Sequence, residues 1–327
     1  MKKILLLIFS VILVLINYSC EENFSPKGDF QQKYILNCVV RGDTSLQTAT
    51  ISRSYNVEGY DPSANTIDPF LKDAFIRIWA GDNVYFMRDS SLARTDTSRY
   101  KGPLHFFYIN NFKPGNNTSL EIEAILPDGK TLKANTTLPE AVEWNYNNTD
   151  TSDTNAFRIP SLSHDYFSYS WYQGSSLGWY LPRLILVYAK IVNGSEERHE
   201  IQVPQKYEDN GNGIGPVYPS PSKNTLASFH NIALDSVFRK ISAGDPVKSH
   251  YKIYALVFEL LIFDDNLSKY YSVTNGFLDD YTIRLDESDY TNVEGGLGIL
   301  GSYIRQKRGS KIAAEYISSF GYVPANP

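Results

Sequence analysis

Ala74-Phe75-Ile76-Arg77-Ile78-Trp79, then Gly81-Asp82-Asn83, then Val84-Tyr85-Phe86-Met87 is the stretch that decides the fold. β-Branched and aromatic residues dominate both arms, as a pleated, half-buried surface requires. Gly-Asp-Asn between them is hairpin turn chemistry. Outward from this hairpin, strand follows strand. On the N-terminal side lie the apolar run 34–40 and the alternating Ala49-Thr50-Ile51-Ser52-Arg53. On the C-terminal side lie 104–109, 120–126 and 131–137, with the turn Pro127-Asp128-Gly129-Lys130 between the last two. This succession of short strands predicts a β-sandwich over residues 33–138, immunoglobulin- or transthyretin-like.

Leu138-Pro139-Glu140-Ala141-Val142 leads into 145–155, which is crowded with Asn, Thr, Asp and Ser, so a domain boundary is placed there. Residues 145–327 then form a second β-rich domain with one or two short helices, and the chain as a whole is mainly β. Within it, 166–172 alternates aromatics with Ser, 184–192 is apolar, and 254–263 reads as a buried strand. Asp264-Asp265-Asn266 can cap a helix over 266–274, with Leu267, Tyr270, Tyr271 and Phe277 near helical spacing. Residues 207–223, rich in Gly and Pro, read as a long loop.

The N-terminus has the character of an export signal. Met1-Lys2-Lys3 is positive, and 4–16 is apolar except for Ser10, too short to span a bilayer comfortably. Asn17-Tyr18-Ser19-Cys20 follows. A small residue directly before Cys is the pattern of a bacterial lipobox, in which the thiol is diacylated and the Cys becomes the new N-terminus. Ile16 stands one position further back than such a box usually has it. The expectation is a signal peptide over 1–19, lipid attachment at Cys20 and a polar tether over 20–32. An uncleaved membrane anchor is the alternative. Glu21 and Glu22 loosely match surface-export signals, and the periplasmic and surface faces both stay open.

Composition narrows the function classes. The net charge is −5, with no basic stripe, which argues against nucleic-acid binding. Aromatics reach 14%, led by 24 Tyr, suited both to β-surfaces and to contact surfaces. Cys38, inside an apolar run, reads as a buried small hydrophobe.

The short motifs point away from catalysis. Gly296-x-Gly298-x-x-Gly301 matches a dinucleotide fingerprint in letters, but in a β-rich context it reads as close backbone packing. Glu208-Asp209-Asn210-Gly211-Asn212-Gly213 resembles a calcium loop, but Pro219 stands where the bidentate acid belongs. Ser220-x-x-Lys223 and Ser249-x-x-Lys252 lack the companion motifs of penicillin-recognising enzymes. His105, His164, His199, His230 and His250 are scattered and form no metal spacing. Arg41-Gly42-Asp43 reads as a strand-ending turn. The expectation is no catalytic residue, no metal and no cofactor. The aromatic cluster around Tyr169, Trp171, Trp179 and Tyr180 is the candidate ligand or partner surface, since aromatic faces stack on sugars and anchor interfaces. Core packing is the competing reading of the same rings.

Several segments together resemble a Bacteroidota lipoprotein family of unknown function. They are Cys20-Glu21-Glu22, the strand 34–40, the strand 49–54, Asp73-Ala74-Phe75-Ile76-Arg77-Ile78 and the exit Leu138-Pro139. The most specific is Thr291-Asn292-Val293-Glu294-Gly295-Gly296-Leu297-Gly298-Ile299-Leu300-Gly301. The resemblance implies an outer-membrane accessory protein that works beside a TonB-dependent transporter in nutrient capture. A module binding a glycan or peptide is the alternative. A hydrolase with a spatially assembled site is the third.

Overall fold

The computed structural model describes residues 29–57, 61–145, 159, 165–174, 178–209, 211, 213–273 and 290–325. Cys20, the signal segment and the first part of the tether lie outside these, as do His164, Asn210, Asn212 and Phe277. The first half contributes β1 (Tyr34–Arg41), β2 (Leu46–Arg53), β3 (Phe75–Ala80), β4 (Asn83–Phe86), β5 (Arg88–Leu92), β6 (Leu104–Asn110), β7 (Ser119–Ile125) and β8 (Thr131–Thr137). The second half begins with β9 (Trp144–Asn145), β10 (Tyr166–Trp171), β11 (Tyr180–Val192), β12 (Ser195–Val203), β13 (Lys206–Asp209), β14 (Ile214–Val217) and β15 (Leu226–His230). It closes with α1 (Asn231–Ile241), β16 (Tyr251–Phe263), α2 (Asp265–Val273), β17 (Leu297–Ser310), α3 (Ala314–Ser319) and β18 (Val323–Pro324). The fold is mainly β, as the strand patterns predict.

One large sheet organises the molecule, in the order β12-β11-β16-β17-β1-β2-β6-β5. It draws strands from both sides of the 138–145 stretch: β1 pairs in parallel with β17, from Ile35↔Leu297 to Arg41↔Tyr303. The 138–142 segment is itself tied to this sheet. Val142 exchanges two hydrogen bonds with the Gln306 side chain, at 2.8 and 3.0 Å.

The pairing register puts Leu36, Cys38 and Val40 on the same face as Ile51, Leu300, Ile304, Phe258 and Leu184. That face is largely apolar, with Ser302, Gln306 and Ser310 among its polar residues, and two smaller sheets cover it, β4-β3-β7-β8 over one half and β15-β10-β9 over the other. Ile76, Ile78, Leu120, Ile122 and Leu132 supply the inward residues of the first cover, each at most 1% exposed. The opposite face is capped locally by α2, where Leu267 and Tyr270 pack with Leu181, Phe263, Ile299 and Tyr303. Cys38 sits in the main core, and burial pushes its thiol up to about 12, so it stays an inert thiol.

The glycine motif makes the parallel pairing feasible. Gly298 has φ +106°, and a Cβ there would lie 2.1 Å from the Leu36 carbonyl oxygen. At Gly296 a Cβ would meet the Tyr34 carbonyl at 2.5 Å. Side chains at either position would force β17 away from β1.

Helix α1 is not among the expected elements. Its apolar spacing is helical, with Ala233, Leu234, Val237 and Phe238 buried. However, its N-cap is His230, which makes no side-chain cap hydrogen bond, so the usual start signal is missing. Helix α2 matches the expected helix to within a residue. The 207–223 loop contains a short hairpin, β13 with β14.

Asp264 joins three elements at the start of α2. Its Oδ1 accepts the Leu267 N–H at 2.6 Å, capping the helix. Its Oδ2 accepts from Thr136 Oγ1 on β8 and from Ser302 Oγ on β17 at 3.0 Å. Burial pushes this carboxyl up to about 6, against the downward pull of those hydrogen bonds. An acid raised in the folded state keeps its proton where the unfolded chain, titrating near about 3.9, has lost it. Its contribution is therefore complete below about 3.9 and falls away as pH rises through about 6. Asp264→Asn keeps a capping side chain but cannot ionise. Urea unfolding across this window should show wild-type stability dropping by about 2–3 kcal/mol relative to the variant. Parallel pH profiles for the two proteins would refute the assignment.

Candidate functional site

The aromatic cluster divides between the two faces of the β15-β10-β9 sheet. Strand alternation turns Phe167, Tyr169 and Trp171 inward, and they are 7%, 0% and 3% exposed. Tyr169 stacks on Phe258 with ring centroids 4.1 Å apart, and its hydroxyl donates to Ser310 Oγ at 2.9 Å. Trp171 meets Tyr180 edge-on at 5.4 Å. The expected surface of Tyr169, Trp171 and Tyr180 is therefore corrected: these three rings are core. Large rings on the inward face of a covering sheet fill the space between layers that aliphatic residues would leave open. Trp179 is half-buried beside the small core under α2, its backbone N–H reaching Ser268 Oγ at 3.3 Å.

The outward face of the same strands forms the candidate site. Three directly opposed pairs share it: Tyr166 with His230, Ser168 with Ser228, and Ser170 with Leu226. Tyr166, Ser168, Leu226, Ser228 and His230 line a shallow depression of about 490 Å³. Tyr166 and Leu226 are half exposed, at 50% and 49%. Ser168 Oγ and Ser228 Oγ lie 2.8 Å apart in a hydrogen bond, which holds the middle of the ladder. The backbone of His230 is fixed by donation to the Gln205 carbonyl at 2.9 Å. Hydroxyls, an imidazole and a phenol ring on one rigid surface can hydrogen-bond and stack. The alternation of 166–172 made this face legible; the reading erred by giving weight to the larger rings on the other one.

The remaining motifs resolve into structural roles. Asp43 of the Arg-Gly-Asp turn is bracketed by Arg41 at 3.0 Å and Arg305 at 2.6 Å. Burial raises its carboxyl, but the two guanidiniums outweigh this and hold it below the usual range. Glu208 pairs with Lys206, and Asp209 accepts the Gly211 N–H at 2.9 Å. Lys252 pairs with Glu196 at 2.9 Å, and His199 stacks on Tyr188 at 5.2 Å. Among the described residues there is no cluster of His, Cys, Asp and Glu that could hold a metal.

These assignments predict a sharp contrast. Trp171→Ala should cost about 3–5 kcal/mol of stability, as for a buried aromatic. Tyr166→Ala, on the outward face, should stay within about 0.5 kcal/mol of wild type. Chemical denaturation of the two variants checks this, and equal effects would contradict the burial pattern.

No curated protein matches the chain. A family match covers residues 21–308, under the description Domain of unknown function (DUF4249). It spans the large sheet from before β1 almost to the end of β17, including the glycine motif that joins them. The chain belongs to the DUF4249 family of domains of unknown function.

Proposed function

We propose that this protein is a lipid-anchored accessory protein of a bacterial outer membrane, of the Bacteroidota type, acting with a TonB-dependent transporter in nutrient capture. The observation that carries the reading is the position of Cys20. It follows an apolar run too short to span a bilayer, and the family match begins at the next residue, Glu21. A family match that starts directly after the cysteine, with the first strand only at Tyr34, is the layout of a body tethered at its N-terminus. Among the described residues no helix is long and apolar enough to cross a membrane. Two or more acyl chains on Cys20 supply stable attachment where one would be marginal. The rigid β-body then serves as the part that meets a transporter or its cargo.

Cys20→Ser should move the protein from the membrane pellet to the soluble fraction and abolish palmitate labelling. Crosslinking followed by detergent extraction should retrieve a transporter with the wild-type chain. Retention of the Ser variant in the pellet, or recovery of uncrosslinked chain alone under nutrient limitation, would sink the proposal.

The outward ladder of Tyr166, Ser168, Ser228 and His230 favours a second reading, contact with a glycan or peptide. A phenol ring beside paired hydroxyls suits a sugar ring better than an apolar ligand. Glycan-array binding that disappears in Tyr166→Ala, with the fold intact, is the expected result. An array with no binding at all removes this reading.

A further inference from the structure

Strand β4 is one of the two outer strands of its sheet. Of the two outer strands of the large sheet, β12 exposes Glu196, Glu197, Arg198, His199 and Glu200, and β5 exposes Arg88 and Asp89. Charges of this kind are how natural sheets discourage edge pairing. The β8 edge is closed by a backbone pair between Lys133 and Glu294, at 2.7 and 3.1 Å. Strand β4 offers Val84, Tyr85 and Phe86, with no charge between Asp82 and Arg88. Val84 is 43% exposed and Phe86 52%. The Phe86 ring continues into exposed Phe75, 5.5 Å away on β3.

The hairpin register decides which backbone groups face the open edge. Ala80 is opposite Asn83, and Ile78 is opposite Tyr85. In a two-residue hairpin the closing pair and every second pair beyond it exchange backbone hydrogen bonds. Asn83 and Tyr85 therefore bond to β3, and Met87 continues the alternation by donating to the Ile76 carbonyl at 3.0 Å. The N–H and C=O groups of Val84 and Phe86 point to the open side. Among the described residues no backbone hydrogen bond outside the hairpin involves them.

This edge is self-complementary about Tyr85. Antiparallel pairing through a two-fold axis there sets Val84 against Phe86 of a second copy and brings Asp82, in the hairpin turn, toward its Arg88, the first residue of β5. Val84 and Phe86, whose backbone groups are free, fall at the hydrogen-bonding positions. Opposite charges meet at both ends. A two-fold through Val84 sets Asp82 against Phe86, and one through Phe86 sets Val84 against Arg88, so neither alternative register matches. We infer that two copies of this chain pair antiparallel along β4, centred on Tyr85, so that one sheet runs through both. The interface is isologous, as a closed two-fold dimer requires, and it is independent of how the chain is anchored.

Sedimentation velocity of the full chain in detergent tests this. Wild type should be a dimer, and Phe86→Asp, at an exposed position, should be a folded monomer. Asp82→Arg should weaken association by roughly tenfold or more, because like charges then oppose each other twice. Asp82→Arg combined with Arg88→Asp should restore it, and a merely structural role for either residue would not produce that rescue. A chain that is monomeric at its highest soluble concentration overturns the inference, as does a dimer unaffected by Phe86→Asp or a double reversal that fails to rescue. A different protein found on this edge, and lost with Phe86→Asp, would also overturn it by giving the edge to another occupant.

Discussion

The parallel pairing of β1 with β17 is the constraint on which the rest of the structure depends. It joins a strand near the start of the described chain to one near its end, and it lies in the middle of the large sheet. Every strand on one side of it belongs to the first half, and every strand on the other to the second. Without it the continuous apolar face would break into two narrower ones, each covered by its own small sheet. The pairing survives only because Gly296 and Gly298 let the two backbones approach.

The segment 291–301 has a physical role in this seam. Asn292 uses both ends of its amide on Leu300, donating to its carbonyl and accepting its N–H, each at 2.9 Å. Glu294 exchanges backbone bonds with Lys133, pinning the neighbouring sheet to the same place. Asp264 adds Thr136 and Ser302 to the junction. The motif resembles a nucleotide-binding loop in letters, but Gly296 and Gly298 lie against carbonyl oxygens of β1 and Gly301 against the Leu267 side chain. Geometry, not composition, separates the two readings.

Much of the fold was legible because local chemistry decided it. The Gly81-Asp82-Asn83 turn and the Pro127–Lys130 turn set hairpins whose arms alternate as the residues require. Asp264 announced α2. Helix α1 escaped because its cap is silent in sequence. The joining of β1 to β17 escaped for a different reason: parallel partners far apart in the chain leave no turn between them to read. At the candidate site, the alternation of 166–172 separated two faces, but nothing local said which one met the core. The covering role of that small sheet, set by Phe258 beneath Tyr169, decided it.

The same long-range pairing bears on the timing of folding. Strand β1 emerges from the ribosome long before its β17 partner. Loop closure over so much chain is slow, and the middle of the sheet cannot assemble until both strands are present. The consequence is an interval in which the apolar face of β1 lies bare until β17 arrives.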